Sequence, residues 1–435
     1  MMRAARGSPE KLSRSLRAFA VFGAALLVLA DLSGCVSARM SDTQISSDFA
    51  SGHYDAALKR LNAGLKKQQP NGRDLLLYLM DLGLVLHTAG RYEESTKLFL
   101  QADQIADIKD YTSLSAETVT LLSSDNLKDY KGEDFEKVLI NTYLAMNFAL
   151  LGRDEEALVE ARRVNRKLQL MVQEGGRKYK QNAFARYLSS ILYENEKNWN
   201  DAYIDAKETY QLEPNFPGLG GVLWRLARLN RNSEDAEKWQ REFALSDTEK
   251  QEAWRVTPKS SEGEIIVLYQ NGISPEKVPH ESAHNVPRYR ARRNPVRIAS
   301  VWLDGKEMGT TSVLHDIEAT AIQNLNDNMS GIIAKKVIAG TIAKESAAYG
   351  IEKATDSPLL GLAAKVFFYA SDQADLRSWS LLPRDLQILR IPATPGLHTV
   401  RVEPIGSGGR PVGRIEKTIQ VTSGRKSFVT FRYMP

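Results

Sequence analysis

The sequence predicts an α+β chain in two unlike parts, an N-terminal all-α solenoid and a C-terminal antiparallel β domain with a helical insertion. Three observations carry this. Helical apolar spacing with glycine-marked turns recurs through the first half at an interval of about 34 residues. Past Trp254 the apolar period shortens to strand-like runs and an Asp304-Gly305 turn. A basic and then apolar leader precedes both parts and ends at the chain's one cysteine, Cys35.

The leader comes first in the chain. Arg3, Arg6, Lys11, Arg14 and Arg17 make a basic start, and the uncharged run from Ala18 to Ala30 is too short for a bilayer core, which takes ~20 helical residues. Leu32-Ser33-Gly34-Cys35 then has the form of a lipoprotein cleavage site. Residues 1–34 are expected to be removed and Cys35 to be acylated, with several chains giving durable anchoring at ~0.8 kcal/mol per buried methylene. Val36 follows, not aspartate, and resemblance to other Gram-negative lipoproteins implies sorting to the outer membrane, with the chain facing the periplasm. Residues 35–47 are expected to be a tether.

Residues 48–250 are expected to form the solenoid. Leu82, Gly83, Gly90, Tyr92, Ser95, Phe99 and Ala102 stand at the spacing of a tetratricopeptide repeat, with small residues where helices touch and a large one between them. Gly52, Tyr54, Ala57, Leu58, Leu61 and Gly64 make an earlier half-repeat. Leu144, Ala145, Phe148, Gly152, Ala157, Ala161 and Val164 make a third, and Trp199, Ala202, Ala206 and Pro214 a fourth. Gly221–Leu245 reads as a degenerate capping pair. Ile105–Lys131 interrupts the period.

Residues 251–295 are expected to be a strand and loop linker, with Glu264–Tyr269 a buried strand. Residues 296–435 are expected to be a β-sandwich-like domain. It would hold a hairpin of Val296–Leu303 and Lys306–Val313, a helix over His315–Tyr349 and a second near Pro358–Ala370. Strands over Leu386–Ile391, Gly396–Pro404, Val412–Val421 and Ser427–Tyr433 would follow.

Composition excludes several functions. The chain's net charge is +5, but five of its 58 Lys/Arg and two of its 53 Asp/Glu lie in residues 1–34, leaving the mature part near +2. That balance gives no basis for nucleic-acid binding. With Cys35 acylated, no thiol remains for a disulfide, a zinc site or a nucleophile.

Four groups of residues are candidates for chemistry. His280-Glu281-Ser282-Ala283-His284 has the spacing that puts two zinc ligands and a general base on one helix face, but Pro279 and Pro287 leave under two turns for a helix. Glu160, Arg162, Arg163 and Arg166 crowd one helix and either lace its outer face or grip acidic groups of a partner. Arg288–Arg293 could meet anionic lipid or glycan. His53, His87, His315 and His398 read as structural. Gly218-Leu219-Gly220-Gly221 lacks the Lys-Ser/Thr of a phosphate loop.

Residues 130–170, with ALVEARR at 157–163, and residues 374–399, with DLRSW-x-x-LP at 375–383, resemble a family of Gram-negative outer-membrane lipoproteins with tetratricopeptide-like N-terminal halves. The resemblance covers most of the mature chain. It implies a part in cell-envelope or peptidoglycan maintenance and carries no catalytic residues; Asp375, Arg377 and Trp379 are the positions to test in its second motif. The resulting expectation is a lipid-anchored periplasmic adaptor without cofactor or enzymatic activity, binding envelope proteins in a repeat groove. A metal-dependent hydrolase using His280, Glu281 and His284 is the alternative, and a lipid- or glycan-binding module a further one.

Overall fold

A computed structural model describes residues 43–68, 72–116, 129–175, 182–257, 261–281, 283–337, 349, 352–353 and 374–435. The leader, Cys35 and the expected helix near Pro358–Ala370 lie outside the described residues. The tether, expected to run to residue 47, gives way to helix at Thr43.

Helices succeed one another in antiparallel pairs: α1 (Thr43–Ala50) with α2 (Tyr54–Gln68), α3 (Leu75–Thr88) with α4 (Tyr92–Ala116), α5 (Asp134–Leu150) with α6 (Asp154–Gly175), α7 (Ala183–Asn195) with α8 (Trp199–Leu212), and α9 (Leu219–Leu229) with α10 (Ser233–Glu242). Helix α11 (Asp247–Trp254) packs on α9 and ends the array. The two members of a pair differ. Leu76–His87 of α3 and Phe135–Ala149 of α5 are buried all round, whereas α6 buries one stripe, including Ala157, Leu158, Ala161, Val164 and Leu168. A helix apolar on every side needs cover on every side, so the first helices must lie in the middle of a sandwich.

Small residues set the spacing of the pairs. A methyl group at Gly83 would sit 2.7 Å from the Phe99 ring, and Ser95 Oγ donates to the Gly83 carbonyl at 2.7 Å. Every turn within a pair holds one left-handed residue. It is Gly52, Gly90 and Gly152 in the first three pairs, but Lys197 (φ 60°) and Arg231 (φ 58°) in the next two. Left-handed backbone costs a residue with a Cβ roughly 1 kcal/mol. Lys197→Gly and Arg231→Gly are therefore each expected to stabilise the fold by about 0.5–1 kcal/mol, read as a rise in denaturation midpoint. A lower midpoint for both would show that these turns are not strained.

Strand β1 (Gly263–Asn271) is buried along its whole length. It pairs in parallel with β10 (Lys426–Tyr433) and antiparallel with β7 (Asp385–Ala393), and β6 (Ser312–Asp316) pairs with β7, giving the order β10-β1-β7-β6. The second sheet runs β5-β4-β8-β9, built from β4 (Ile298–Leu303), β5 (Lys306–Thr310), β8 (Gly396–Ile405) and β9 (Ile415–Val421). Ile265, Val267 and Tyr269 of β1 face inward onto Val301, Val400 and Val402 of the second sheet, while Ile266 and Leu268 join the core of the helical array. This is why Glu264–Tyr269 reads as an unbroken apolar run.

Several expectations need correcting. Residues 251–295 are not a linker, since β1 is an inner strand of the first sheet and residues from Ile45 onward form one unit. The sheet is mixed, because β1 and β10 run parallel after the long excursion between them. The expected Lys306–Val313 strand is two strands in different sheets. The chain crosses at Thr311, whose N–H donates to the Ala299 carbonyl at 2.9 Å and whose Oγ donates to Gln387 at 2.5 Å. The Asn271–Asn294 loop contains a hairpin of β2 (Glu276–His280) and β3 (Ala283–Arg290). His315 lies in β6, and helix α12 (Ile317–Val337) begins after it. The Asp304-Gly305 turn forms as expected, with φ of 49° and 87°. No helix among the described residues is long and apolar enough to cross a membrane.

Candidate functional site: the concave face of the array

The first helix of each pair is where a repeat array ordinarily presents its groove. Here the groove is filled by the protein's own first sheet. Helices α5 and α7 pack on β10, and α7 also on β6 and β7. Three polar clusters join the two layers.

The middle cluster is neutral. His87 Nδ1 faces Asn147 Oδ1 at 2.6 Å, and Gln270 Nε2 faces His87 Nε2 at 2.8 Å. An amide oxygen on one side and an amide NH₂ on the other define the tautomer with hydrogen on Nδ1. Burial lowers the His87 pKa to about 4, so it stays neutral. Tyr143 OH donates to Gln270 Oε1 at 3.0 Å, and Gln270 donates on to Thr430.

The second cluster is built on Glu194, at the end of α7. Arg390 of β7 clamps it bidentately at 2.8 and 2.9 Å, and also clamps Glu264 of β1 at 2.8 and 2.7 Å. Arg225 of α9 reaches Glu194 at 2.6 Å, and Lys426 of β10 at 3.1 Å. Burial alone would raise the Glu194 pKa. Arg225, Arg390 and Lys426 outweigh it and hold the carboxyl well below the ordinary range. Beside it, Asn195 Oδ1 accepts the Lys426 backbone N–H at 2.8 Å.

The third cluster holds the second sequence motif. Arg377 grips Asp375 through Nε at 2.9 Å and Nη2 at 2.7 Å, and reaches back to Asp74, at the start of α3, at 3.0 Å. Trp379 is buried against Phe99 and Tyr143, with ring centroids 5.7 Å from each, and its backbone N–H donates to Glu136 at 2.6 Å. Asp375, Arg377 and Trp379 thus fasten the second half of the chain to the repeats. Lys277 of β2 and Asn324 of α12 both bind Glu133. Glu136 takes hydrogen bonds from Tyr130 OH at 2.5 Å and the Glu133 backbone N–H at 3.0 Å.

Complete burial, with the Glu133 charge beside it, raises the Glu136 pKa from 4.5 to about 7. The folded state then binds a proton that the unfolded state releases. This contribution to stability is full below about pH 4.5 and falls as pH rises to about 7, by roughly 3 kcal/mol. Glu136→Gln is expected to abolish that slope. Paired urea titrations between about pH 5 and 8 would test it, and parallel profiles for the two proteins would refute it.

The other sequence candidates are placed differently from one another. Helix α6 is the outer member of its pair, so the Arg-rich segment does not line the concave face. Glu160 is buried and accepts from Asn141 at 2.8 Å; Arg163 and Lys167 bind Asp103 of α4 at 2.6 Å each. Arg162 donates to Tyr193 OH at 2.7 Å, and Arg166 is exposed. Their pairing follows from neighbouring helices, which the spacing within one helix does not reveal. His280 ends β2 opposite Ala283 at the start of β3, so a hairpin replaces the helix on which two histidines four apart would share a face. Among the described residues no group of three or more His, Cys, Asp or Glu is placed to hold a metal ion. Arg288 and Arg290 pair with Glu281 and Glu276 at 2.7 and 2.6 Å, and Arg292 donates to the Ser380 carbonyl, so little of this basic run is left for lipid. His398 pins the Asp304 turn, Nδ1 to Oδ2 at 2.6 Å.

Beside the Glu194 cluster a cleft of about 650 Å³ opens between the sheet and the end of the array. The loop Pro214–Gly218, the first turns of α9, α11 and strand β7 wall it, and Arg225, Arg390 and Glu264 reach it from the buried cluster. Sequence reasoning missed this site, because its residues come from six separate segments.

The fold and site define a helical-repeat array whose inner face is closed by a β-sandwich of the same chain. No family model and no curated protein matches the chain. Among solved structures, a crystal structure of MamA is 11% identical, covering 48% of this chain and 96% of its own, with a TM-score of 0.32. A Podosopora anserina chain of nearly identical TPR-like repeats is 12% identical over 50% of this chain and 94% of its own, TM-score 0.31. Pseudomonas aeruginosa PilF is 15% identical over 48% of this chain and 77% of its own, TM-score 0.31.

Proposed function

We propose that the protein is a non-catalytic adaptor, anchored through an acylated Cys35 to the outer membrane and facing the periplasm, that holds envelope proteins. The observation that supports this reading is the construction of the interface. Polar groups inside the interface from both halves, Glu194, Arg390, Glu264, Glu136 and Arg377, join array to sheet. Partners then meet surfaces that remain open on a preassembled body, and the concave groove named by the repeat spacing is not among them.

Two measurements test the reading. Labelling with a fatty acid should mark the parent and not Cys35→Ala, which should leave the membrane fraction. Crosslinking in intact cells should recover one or more envelope proteins with the parent. An unlabelled parent, or recovery of nothing above background, would remove the reading.

A further inference from the structure

The cleft beside the Glu194 cluster has three properties that together define an occupant. The first is an unfinished sheet edge. Strand β7 is paired with β1 along its whole length, but β6 covers only Asp385–Ile388 on its other side. Among the described residues, Leu389–Ala393 have no strand on that edge. Leu389, Arg390 and Pro392 line the cleft, and Thr310 and Ser312 flank the point where the chain turns away. The outward backbone groups here are the Arg390 N–H and C=O and the Pro392 C=O, Pro392 having no N–H, and such edge groups are a template for a short added strand.

The second property is the opposite wall. Tyr187, Phe216, Val222, Phe243 and Leu245 face the cleft from the helical end of the array. An extended segment of about five residues, at about 3.3 Å per residue, would lay alternate side chains on this wall and offer its backbone to β7. A volume of about 650 Å³ accommodates such a segment.

The third property is charge. In the buried floor, Arg225, Arg390 and Lys426 face two carboxylates among the described residues, Glu194 and Glu264, which leaves one positive charge in excess there. Among the described residues the buried Nε of Arg225 has no acceptor. The outer lip is opposite in sign. Glu249 and Glu252 line it, and Arg255 is shared between Glu252 and Glu262. The cleft is therefore polarised, positive inside and negative outside.

We propose that this cleft binds an extended peptide segment of a partner protein, added as a strand along Leu389–Ala393, with a carboxylate directed to the floor and a basic side chain at the Glu249/Glu252 lip. A single surplus charge matches a carboxylate better than a phosphate near −2. This deepens the adaptor reading and rests on it, since it names where and by what chemistry a partner is held.

The test uses the full chain in detergent and labelled hexapeptides with Lys at one end, Glu at the other and mixed Val, Leu, Phe and Thr between, in both chain orders. Fluorescence anisotropy should show saturable binding, lost on N-methylation of the backbone. Thr248 is exposed and lines the mouth. Thr248→Trp should therefore weaken binding at least about fivefold without changing the melting temperature, and Glu252→Lys by a similar factor. Absence of saturable binding to a parent that melts cooperatively, indifference to Thr248→Trp, or full competition by inorganic phosphate would each overturn the proposal. In cells, a crosslinked partner recovered equally by parent and Thr248→Trp would overturn this site while leaving the adaptor reading in place. A parent that recovers no partner would take both away.

Discussion

Glu194→Ala is expected to destabilise the protein by about 3–5 kcal/mol. The carboxylate is fully buried and accepts from Arg225 and from both terminal nitrogens of Arg390. Its removal leaves Arg225, Arg390 and Lys426 crowded around Glu264 alone, with no counter-charge at the buried Glu194 position. The cost is mainly that of uncompensated buried cations, so Glu194→Gln should recover little of it. The depressed pKa of Glu194 gives the same interaction a pH signature. Stability from this group is full above the ordinary carboxylate range and is lost as pH falls below it. Urea denaturation at neutral pH measures the main effect, and hydrogen exchange should show β7, β1 and β10 losing protection together with α7. A cost under about 1 kcal/mol would mean that the cluster does not join the layers.

Trp379→Ala is expected to cost about 3–5 kcal/mol, by leaving a cavity between Phe99, Tyr143 and the sheet side of the array. The indole has a second, diagnostic property. Its Nε1 is buried and has no hydrogen-bond acceptor among the described residues, while the bond to Glu136 comes from the backbone N–H. Trp379→Phe therefore loses volume but no hydrogen bond and removes an unsatisfied donor, so it should cost no more than about half as much as alanine. Equal losses for Phe and Ala would refute this account of the packing.

Much of the repeat architecture is legible because its signals are local. Gly52, Gly90 and Gly152 occupy left-handed turns, and Gly83 lies against Phe99, so single residues report backbone geometry and close approach. The later repeats look degenerate for an equally local reason. Lys197 and Arg231 hold the same left-handed turn without being glycine, so the geometry persists where its usual residue is missing. Strand β1 announces itself by apolar residues on both faces. Its role does not, because an unbroken apolar run says that both faces are covered without saying by what. The same gap explains the linker error at residues 251–295 and the expectation of an open groove.

The candidate sites divide along the same line. The motif containing Asp375, Arg377 and Trp379 is visible in the sequence, but the groups it binds, Asp74 and Glu136, lie hundreds of residues away. For Glu160, Arg162, Arg163 and Arg166 the sequence leaves an outer salt-laced face and a partner-gripping face both open, because helical spacing shows which residues share a face and not which way that face turns; the structure places them on the outer helix. The zinc-like spacing at His280–His284 has meaning on a helix alone, and the chain there makes a hairpin.

Local chemistry, then, specified the helix pairs, their turns, the switch to strands and the Asp304-Gly305 hairpin, since each depends on neighbours within a few residues. Long-range folding alone determined that the sheet fills the array's inner face, that β1 lies between β7 and β10, and that Glu194 gathers three cations from α9, β7 and β10. Such contacts depend on complementary surfaces formed by distant segments, and no spacing along one stretch of chain records which surfaces will meet.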